Sequence, residues 1–289
     1  MKYAFSTVSC PQWDLQTIAA KAKGFGYDGV EVCCSINGRL PATAELFQNA
    51  PGKVKEIFAG CGVQAASLSS DAAYSGQRKQ DAAQAGEVRR LVDAAQALEC
   101  PFVRVPGMRL HGGQGPAEGA VAFGRWLLPL AEYAADRAVT LLVENSLSFR
   151  RARDLWLVLE TVNHPGLSAC WDMLSAAQVG EDPSLSVPVL NSRLQFVRVR
   201  DALAGQAGAA FCKLGEGVVP LEKGLKRLRG IGYGGWVCVD WPNSLHPELA
   251  QAEEVLPEAF TRLRAWTKGP GEDGKGKGVV AKAQAGAAG

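Results

Sequence analysis

The chain has 289 residues, 47% of them hydrophobic and 21% charged, with a formal net charge of +2. A chain near this size buries roughly 75% of its unfolded surface, and the composition excludes fibrous and wholly disordered classes. Lys268, Lys275, Lys277 and Lys282 against Glu272 and Asp273 account for all the excess charge. The body before them is therefore neutral and lacks the clustered basic surface that duplex nucleic acid requires. No apolar run reaches the 18 or so residues of a membrane span. The start, Met1-Lys2-Tyr3-Ala4-Phe5-Ser6, runs into strand-like sequence without a signal-peptide core. The eight cysteines are scattered, with no CxxC pair, and read as reduced, buried small hydrophobes. These features predict a cytoplasmic protein with neither a nucleic-acid nor a membrane partner.

In chain order, short β-type runs predict strands at Tyr3–Val8, Asp28–Cys34, Val63–Ser69, Phe102–Val105, Thr140–Asn145, Leu167–Trp171, Leu194–Arg200 and Trp236–Trp241. Amphipathic stretches between and after them predict helices at Leu15–Lys23, Ala44–Ala59, Arg78–Leu98, Pro116–Arg137, Arg151–Val162, weakly near Leu185–Asn191, then Pro220–Arg229 and Glu248–Trp266. In the third, Val88, Leu91, Val92, Ala95 and Leu98 form one stripe at three- and four-residue spacing. Strands alternating with helices imply βαβ units and a parallel sheet. Eight such units match an α/β protein with the (β/α)₈ TIM barrel fold, whose usual size is roughly 250 residues. The expectation is a single barrel domain over residues 1–267 and a disordered Gly/Lys/Ala-rich tail over 268–289. A doubly wound open sheet is the alternative, but no GxGxxG follows the first strand.

In such barrels reactive groups gather at the C-terminal ends of the strands. Polar residues that a core would not want stand there: Glu31 on the second strand, Arg104 on the fourth, Glu144 and Asn145 on the fifth and Asp172 at the sixth. The seventh carries Arg198, Arg200 and Asp201, and the eighth Asp240. Three apolar runs end abruptly in a carboxylate, in Val143-Glu144, Trp171-Asp172 and Val239-Asp240. Brought together at one mouth, Glu144, Asp172 and Asp240 repel one another unless protons, a cation or arginines neutralise them. A divalent cation with oxygen ligands is one solution. Helix capping and pairing with neighbouring arginines is the other, and both stay open at this point.

Several stretches resemble the xylose isomerase-like barrels of the sugar phosphate isomerase/epimerase superfamily. They are Gly26-Tyr27-Asp28-Gly29-Val30-Glu31, Val143-Glu144-Asn145, Phe196 to Asp201 and Leu214-Gly215-Glu216-Gly217, followed by Trp241-Pro242 and His246-Pro247-Glu248-Leu249. The resemblance implies a divalent metal held by Glu, Asp, His and Glu from strands five to eight, with the two glutamates as acid and base beside a substrate carbonyl. Carried onto this chain it makes Glu144, Asp172 and Asp240 the metal ligands and Glu144 and Asp240 the catalytic pair. Glu31, Arg104, Arg198 and Arg200 then bind substrate.

Two positions depart from the pattern. Asp240 stands for a glutamate, and Arg198 stands for the histidine. An arginine is always protonated and ligates no metal. The remaining oxygens suit Mn²⁺ or Mg²⁺ with added waters, unless Arg198 itself replaces the cation and leaves a metal-free pocket for an anionic sugar or phosphate.

The implied function is an isomerase or epimerase on a small sugar, keto-polyol or inositol-type substrate, with dehydratase chemistry a close relative. The alternative is a non-catalytic sugar- or partner-binding barrel whose metal site Arg198 disables. The endonuclease branch of the superfamily would need a histidine-rich zinc site, and the chain has only His111, His164 and His246. Homo-oligomers are common among resembling proteins, although no exposed stripe here demands one. His111 sits in a loop after the fourth strand, Gly215-Glu216-Gly217 reads as a turn, and Trp13 and Trp241 read equally as pocket wall or packing.

Overall fold

The computed structural model describes residues 1–35, 47, 49–205 and 210–268. Eight parallel strands close into a barrel: β1 (Lys2–Ser6), β2 (Gly29–Cys33), β3 (Gln64–Ser69), β4 (Phe102–Val105), β5 (Thr140–Glu144), β6 (Leu167–Asp172), β7 (Leu194–Val199) and β10 (Trp236–Val239). Each pairs with its neighbours in sequence order around the barrel, and β10 pairs with both β7 and β1. The open-sheet alternative is thereby excluded. Two further short strands, β8 (Asp201–Ala202) and β9 (Phe211–Cys212), form an antiparallel ribbon above β7. The helices are α1 (Leu15–Phe25), α2 (Pro51–Cys61), α3 (Arg78–Leu98), α4 (Pro116–Ala135), α5 (Ala152–Val162), α6 (Met173–Gln178), α7 (Pro183–Leu190), α8 (Leu221–Gly230) and α9 (Ala252–Thr267). Among the described residues no helix is long and apolar enough to cross a membrane.

All eight strands fall where the apolar runs predict them, within two residues at each end. The expected start of the second helix, and the tail beyond Lys268, lie outside the described residues. The pattern did not predict α6. It is only six residues long and is nucleated where the Asp172 side chain accepts a hydrogen bond from Ser175 N at 2.9 Å. Similarly α7 starts earlier than the pattern suggests, because Asp182 caps it and Pro183 supplies the preset φ of a first turn.

Strand alternation divides the barrel interior into levels. The lower level is an apolar plug of Ala4, Ala66, Phe102, Leu142, Cys170, Phe196, Trp236 and Cys238. Gly29 is required there, since a Cβ on it would come within 2.7 Å of both the Trp236 ring and the Gln64 carbonyl. One inward position further up, the plug gives way to charge: Phe102 is followed by Arg104, Leu142 by Glu144, Cys170 by Asp172, Phe196 by Arg198 and Cys238 by Asp240. Outward-facing residues pack beneath the helices in the main apolar core, where Leu91, Phe123, Leu127 and Leu159 are fully buried.

Candidate functional site

The carboxylates and guanidiniums named from the strand ends all reach the same place. Glu31, Arg104, Glu144, Asp172, Arg198 and Asp240 are buried at the top of the barrel, and the Arg200 side chain, 22% exposed, is the most open of the group. Parallel register places them: Asp172 lies beside Arg198, Ser69 beside Arg104 and Ser6 beside Glu31.

Arg198 is the hub. Its Nη1 donates to Glu144 Oε1 at 2.7 Å, while Nη2 lies 2.9 Å from Asp240 Oδ2 and 3.4 Å from Glu31 Oε1. One guanidinium thus ties together carboxylates from the second, fifth and eighth barrel strands. Arg104 donates from Nη1 to Glu144 Oε2 at 3.0 Å, and its Nε lies 3.5 Å from Glu31 Oε2. Arg200 pairs with Asp172 through Nη2 and with Asp240 through Nη1 at 3.1 Å. Four carboxylates therefore meet three guanidiniums, which leaves the cluster with one net negative charge.

The electrostatics follow from this packing. Burial alone would raise the Glu144 carboxyl, but Arg104, Arg198 and Arg200 outweigh it and hold the group down at about 2. Burial works against the charged form of Arg198 as well. Asp240, Glu31 and Glu144 overcome that and push its pKa well above the ordinary arginine value. Glu31 is the least satisfied member: it is fully buried, yet neither oxygen accepts a hydrogen bond. The Nε groups of Arg104, Arg198 and Arg200 are also without hydrogen-bond partners, as is Ser6 Oγ.

Two supports around the cluster hold its members in place. Asn145 locks β5 to β6 by accepting from Asp172 N at 2.5 Å and donating to the Asp172 carbonyl at 3.0 Å. Asp201 accepts from the backbone N–H groups of Ala202, Gly215, Gly217 and Val219 at 2.8–3.1 Å. Its carboxylate gathers the whole Gly215–Val219 turn under the ribbon that follows Arg200. A Cβ at Gly217 would run into Asp201 Oδ1, so the glycine is what lets the turn close on the carboxylate. The sequence flagged Asp201 as a strand-end acid, but nothing in it announced this four-donor role.

A barrel mouth assembled from strand-end charges, on this strand order, invites comparison with known proteins. The family model of the xylose isomerase-like TIM barrels matches residues 19–266. The chain belongs to that family. No curated protein matches it. Solved structures that superpose on it include the IolI protein with a binding zinc atom, at TM-score 0.78 and 15% identity, covering 92% of this chain and 98% of that one. The D-allulose 3-epimerase from Methylomonas sp. in complex with D-allulose superposes at TM-score 0.72 and 19% identity, covering 93% and 97%. The probable 3-DHS dehydratase AsbF from Bacillus anthracis does so at TM-score 0.72 and 17% identity, covering 91% and 98%. At these identities the likeness establishes the barrel.

The donors of this mouth are already engaged. Both Glu144 oxygens face guanidiniums, Asp172 is divided between a helix cap and Arg200, and one Asp240 oxygen is shared by Arg198 and Arg200. Among the described residues no group of three or more His, Cys, Asp or Glu side chains is placed to hold a metal ion. As arranged, the residues that the resemblance implies as ligands do not fit a divalent cation, because the seventh-strand donor is a guanidinium standing among them.

The remaining sequence candidates are placed apart from the cluster. His111 lines a rim cavity of about 590 Å³ with Tyr74, Gln77, Gln114 and Glu118, between the loops after β3 and β4. Trp13 and Trp241 are packing residues, their indole N–H groups donating to Glu253 Oε1 and to the Ala250 carbonyl, each at 2.9 Å. The sequence did not single out Glu87 on α3, whose Oε1 accepts from Ser70 Oγ at 2.5 Å beside Ser35 at the ends of β2 and β3.

Proposed function

We propose that this barrel acts as a sugar isomerase or epimerase type of protein that takes a small polyhydroxylated substrate, a sugar, keto-polyol or inositol-type molecule, at its charged mouth. Arg104, Arg198 and Arg200 supply there the positive charge that a metal would otherwise bring. The observation that carries this reading is the single contact pattern of Arg198, tied to Glu31, Glu144 and Asp240 at the centre of the mouth.

The chemistry such an arrangement can perform is proton transfer beside a carbonyl. A substrate oxygen that accepts from Arg104 and Arg198 draws them off Glu144, and the carboxylate, released from the charges that hold it near 2, gains basicity. Glu144 then takes the proton from the carbon next to the carbonyl. The guanidiniums stabilise the oxyanion that forms; the proton then held by Glu144 returns to the neighbouring carbon, or leaves to water while Asp240, protonated from water once Arg198 has turned to the substrate, delivers one to the other face. Family membership and the likeness to sugar epimerases and a dehydratase support this class of chemistry. A second reading, a non-catalytic sugar-binding barrel, is favoured by the two guanidinium contacts that leave Glu144 a weak base in the ligand-free mouth.

Incubation with D-allulose, D-fructose or myo-inosose in D₂O, without added metal and with EDTA present, separates these readings by proton NMR. The catalytic reading expects deuterium at the carbon beside the carbonyl, abolished in Glu144→Gln. Saturable binding by calorimetry with no exchange selects the binding reading. Neither binding nor exchange across a panel of ketoses, keto-inositols and their phosphates contradicts both.

A further inference from the structure

We infer that the barrel mouth is a divalent-cation site occupied by the chain's own side chain: the Arg198 guanidinium is a tethered counter-ion, and its removal converts the mouth into one that binds Mn²⁺ or Mg²⁺. This deepens the metal-free reading above and rests on the same cluster, but its test reads ion binding and not turnover, so the two fail separately.

The geometry supplies the first argument. Arg198 contacts oxygens of Glu144, Asp240 and Glu31 at 2.7–3.4 Å, from three strands spread around the barrel. Few positions touch three carboxylates at once, and the one that does is where a cation has most to gain. Charge supplies the second argument. With Arg198 in place the cluster of Glu31, Glu144, Asp172, Asp240, Arg104, Arg198 and Arg200 carries one net negative charge. Without it the mouth would carry two, nine-tenths buried, where like charges are held apart from water and repel strongly. A divalent ion would neutralise that charge; a monovalent one would restore only the native balance. Donor chemistry supplies the third. With no histidine and no cysteine in the set, the vacated position offers hard carboxylate oxygens, which select Mn²⁺ or Mg²⁺ and disfavour softer ions. Acceptor capacity adds a fourth: both Glu31 oxygens are buried and held by Arg198 and Arg104 through charge alone, without a hydrogen bond, so they have lone pairs to give to an ion at the position Arg198 fills.

The test compares wild type with Arg198→Ala, Arg198→His and Arg198→Lys by calorimetry, thermal shift and the electron paramagnetic resonance of Mn²⁺. Wild type should show no saturable Mn²⁺ binding at millimolar concentration. Arg198→Ala and Arg198→His should melt several degrees lower and recover on adding Mn²⁺, with a single ion per chain and at least a tenfold gain in affinity over wild type. Free guanidinium at low millimolar concentration should stabilise Arg198→Ala and compete with Mn²⁺, since it refills the space left by the side chain. Arg198→Lys keeps the charge and should stay as blind to Mn²⁺ as wild type.

Stoichiometric Mn²⁺ binding by wild type overturns the inference, whatever the variants do. So does a folded Arg198→Ala or Arg198→His that ignores both Mn²⁺ and guanidinium. If these variants are recovered folded only when Mn²⁺ or guanidinium is present during refolding, the inference is supported. Failure to fold with Mn²⁺, with guanidinium and with neither, while Arg198→Lys folds, contradicts it, because the cation would then not be replaceable.

Discussion

The lower and upper levels of the barrel interior are built by the same strands, two residues apart, and obey opposite physics. Below, Phe102, Leu142, Cys170, Phe196 and Cys238 pack as an uncharged plug. Above, Arg104, Glu144, Asp172, Arg198 and Asp240 occupy the next inward position on those same strands. The plug gains from leaving water, since each large apolar side chain contributes roughly 1.5–3 kcal/mol on burial. The charged level gains nothing from burial as such. Every ion there loses its hydration, and it stands only because each carboxylate has a guanidinium against it. Stability therefore belongs to the lower level, and the proposed chemistry to the upper. A costly array of buried charge at the strand ends, carried by a well-packed floor, is the division of labour that the proposed function requires of a barrel.

Variants at the two levels should differ in kind as well as in size. The largest effect is expected for Phe196→Ala in the plug, fully buried, at roughly 3–5 kcal/mol in urea denaturation. Its acid-unfolding profile should keep the wild-type shape, since no titrating group is touched. Arg104→Met in the upper level removes one partner of Glu144 and Glu31 and should cost about 3 kcal/mol at neutral pH. Unlike the plug variant it should flatten the acid profile, because Glu144 loses part of what holds its carboxyl down.

The wild-type profile itself follows from that shift. Glu144 is depressed from its ordinary value of 4.5 to about 2. Its contribution is therefore fully present above about 4.5 and lost as pH falls from there through about 2, on the order of 3 kcal/mol in all. Denaturation series across that window check the sign: stability must fall with pH, and Glu144→Gln must reduce the slope.

Asp201→Asn should cost roughly 1–3 kcal/mol, since the amide keeps one acceptor oxygen and turns an NH₂ donor toward the two N–H groups that the other oxygen served. Hydrogen exchange should quicken at Gly215, Gly217 and Val219 while the amides of the barrel strands stay protected. The smallest effect is expected at the surface. Lys226 pairs with Glu222 along α8 with both side chains about half exposed, and Lys226→Ala should change stability by no more than about 0.5 kcal/mol.

Much of this division was legible in the sequence. Short apolar runs that end in charge, at Thr140–Asn145 and Leu194–Arg200, placed Glu144 and Arg198 at strand ends. The barrel followed from eight strand and helix alternations, and Glu31, Arg104, Asp172, Arg200 and Asp240 were named from strand ends alone. The sequence left open how the charges are shared. Whether Asp172 faces a cation or caps a helix depends on a turn that begins one residue later, at Met173, and on the reach of Arg200 from the neighbouring strand. Asp201 could be read as one more mouth acid because three of its four donors come from residues fourteen to eighteen positions away. Such partnerships are tertiary, and periodicity carries no signal for them. The same holds for Glu87, which reaches Ser70 from a helix whose apolar stripe says nothing about its polar face.

The central claim is that the carboxylates of the mouth are neutralised by the chain's own guanidiniums. A crystal structure of the wild-type protein grown with millimolar Mn²⁺, with anomalous data collected near the manganese edge, tests it most directly. The account predicts no anomalous peak inside the barrel and Arg198 in contact with Glu31, Glu144 and Asp240. A peak bridging Glu144, Asp172 and Asp240, with Arg198 swung aside, would contradict it.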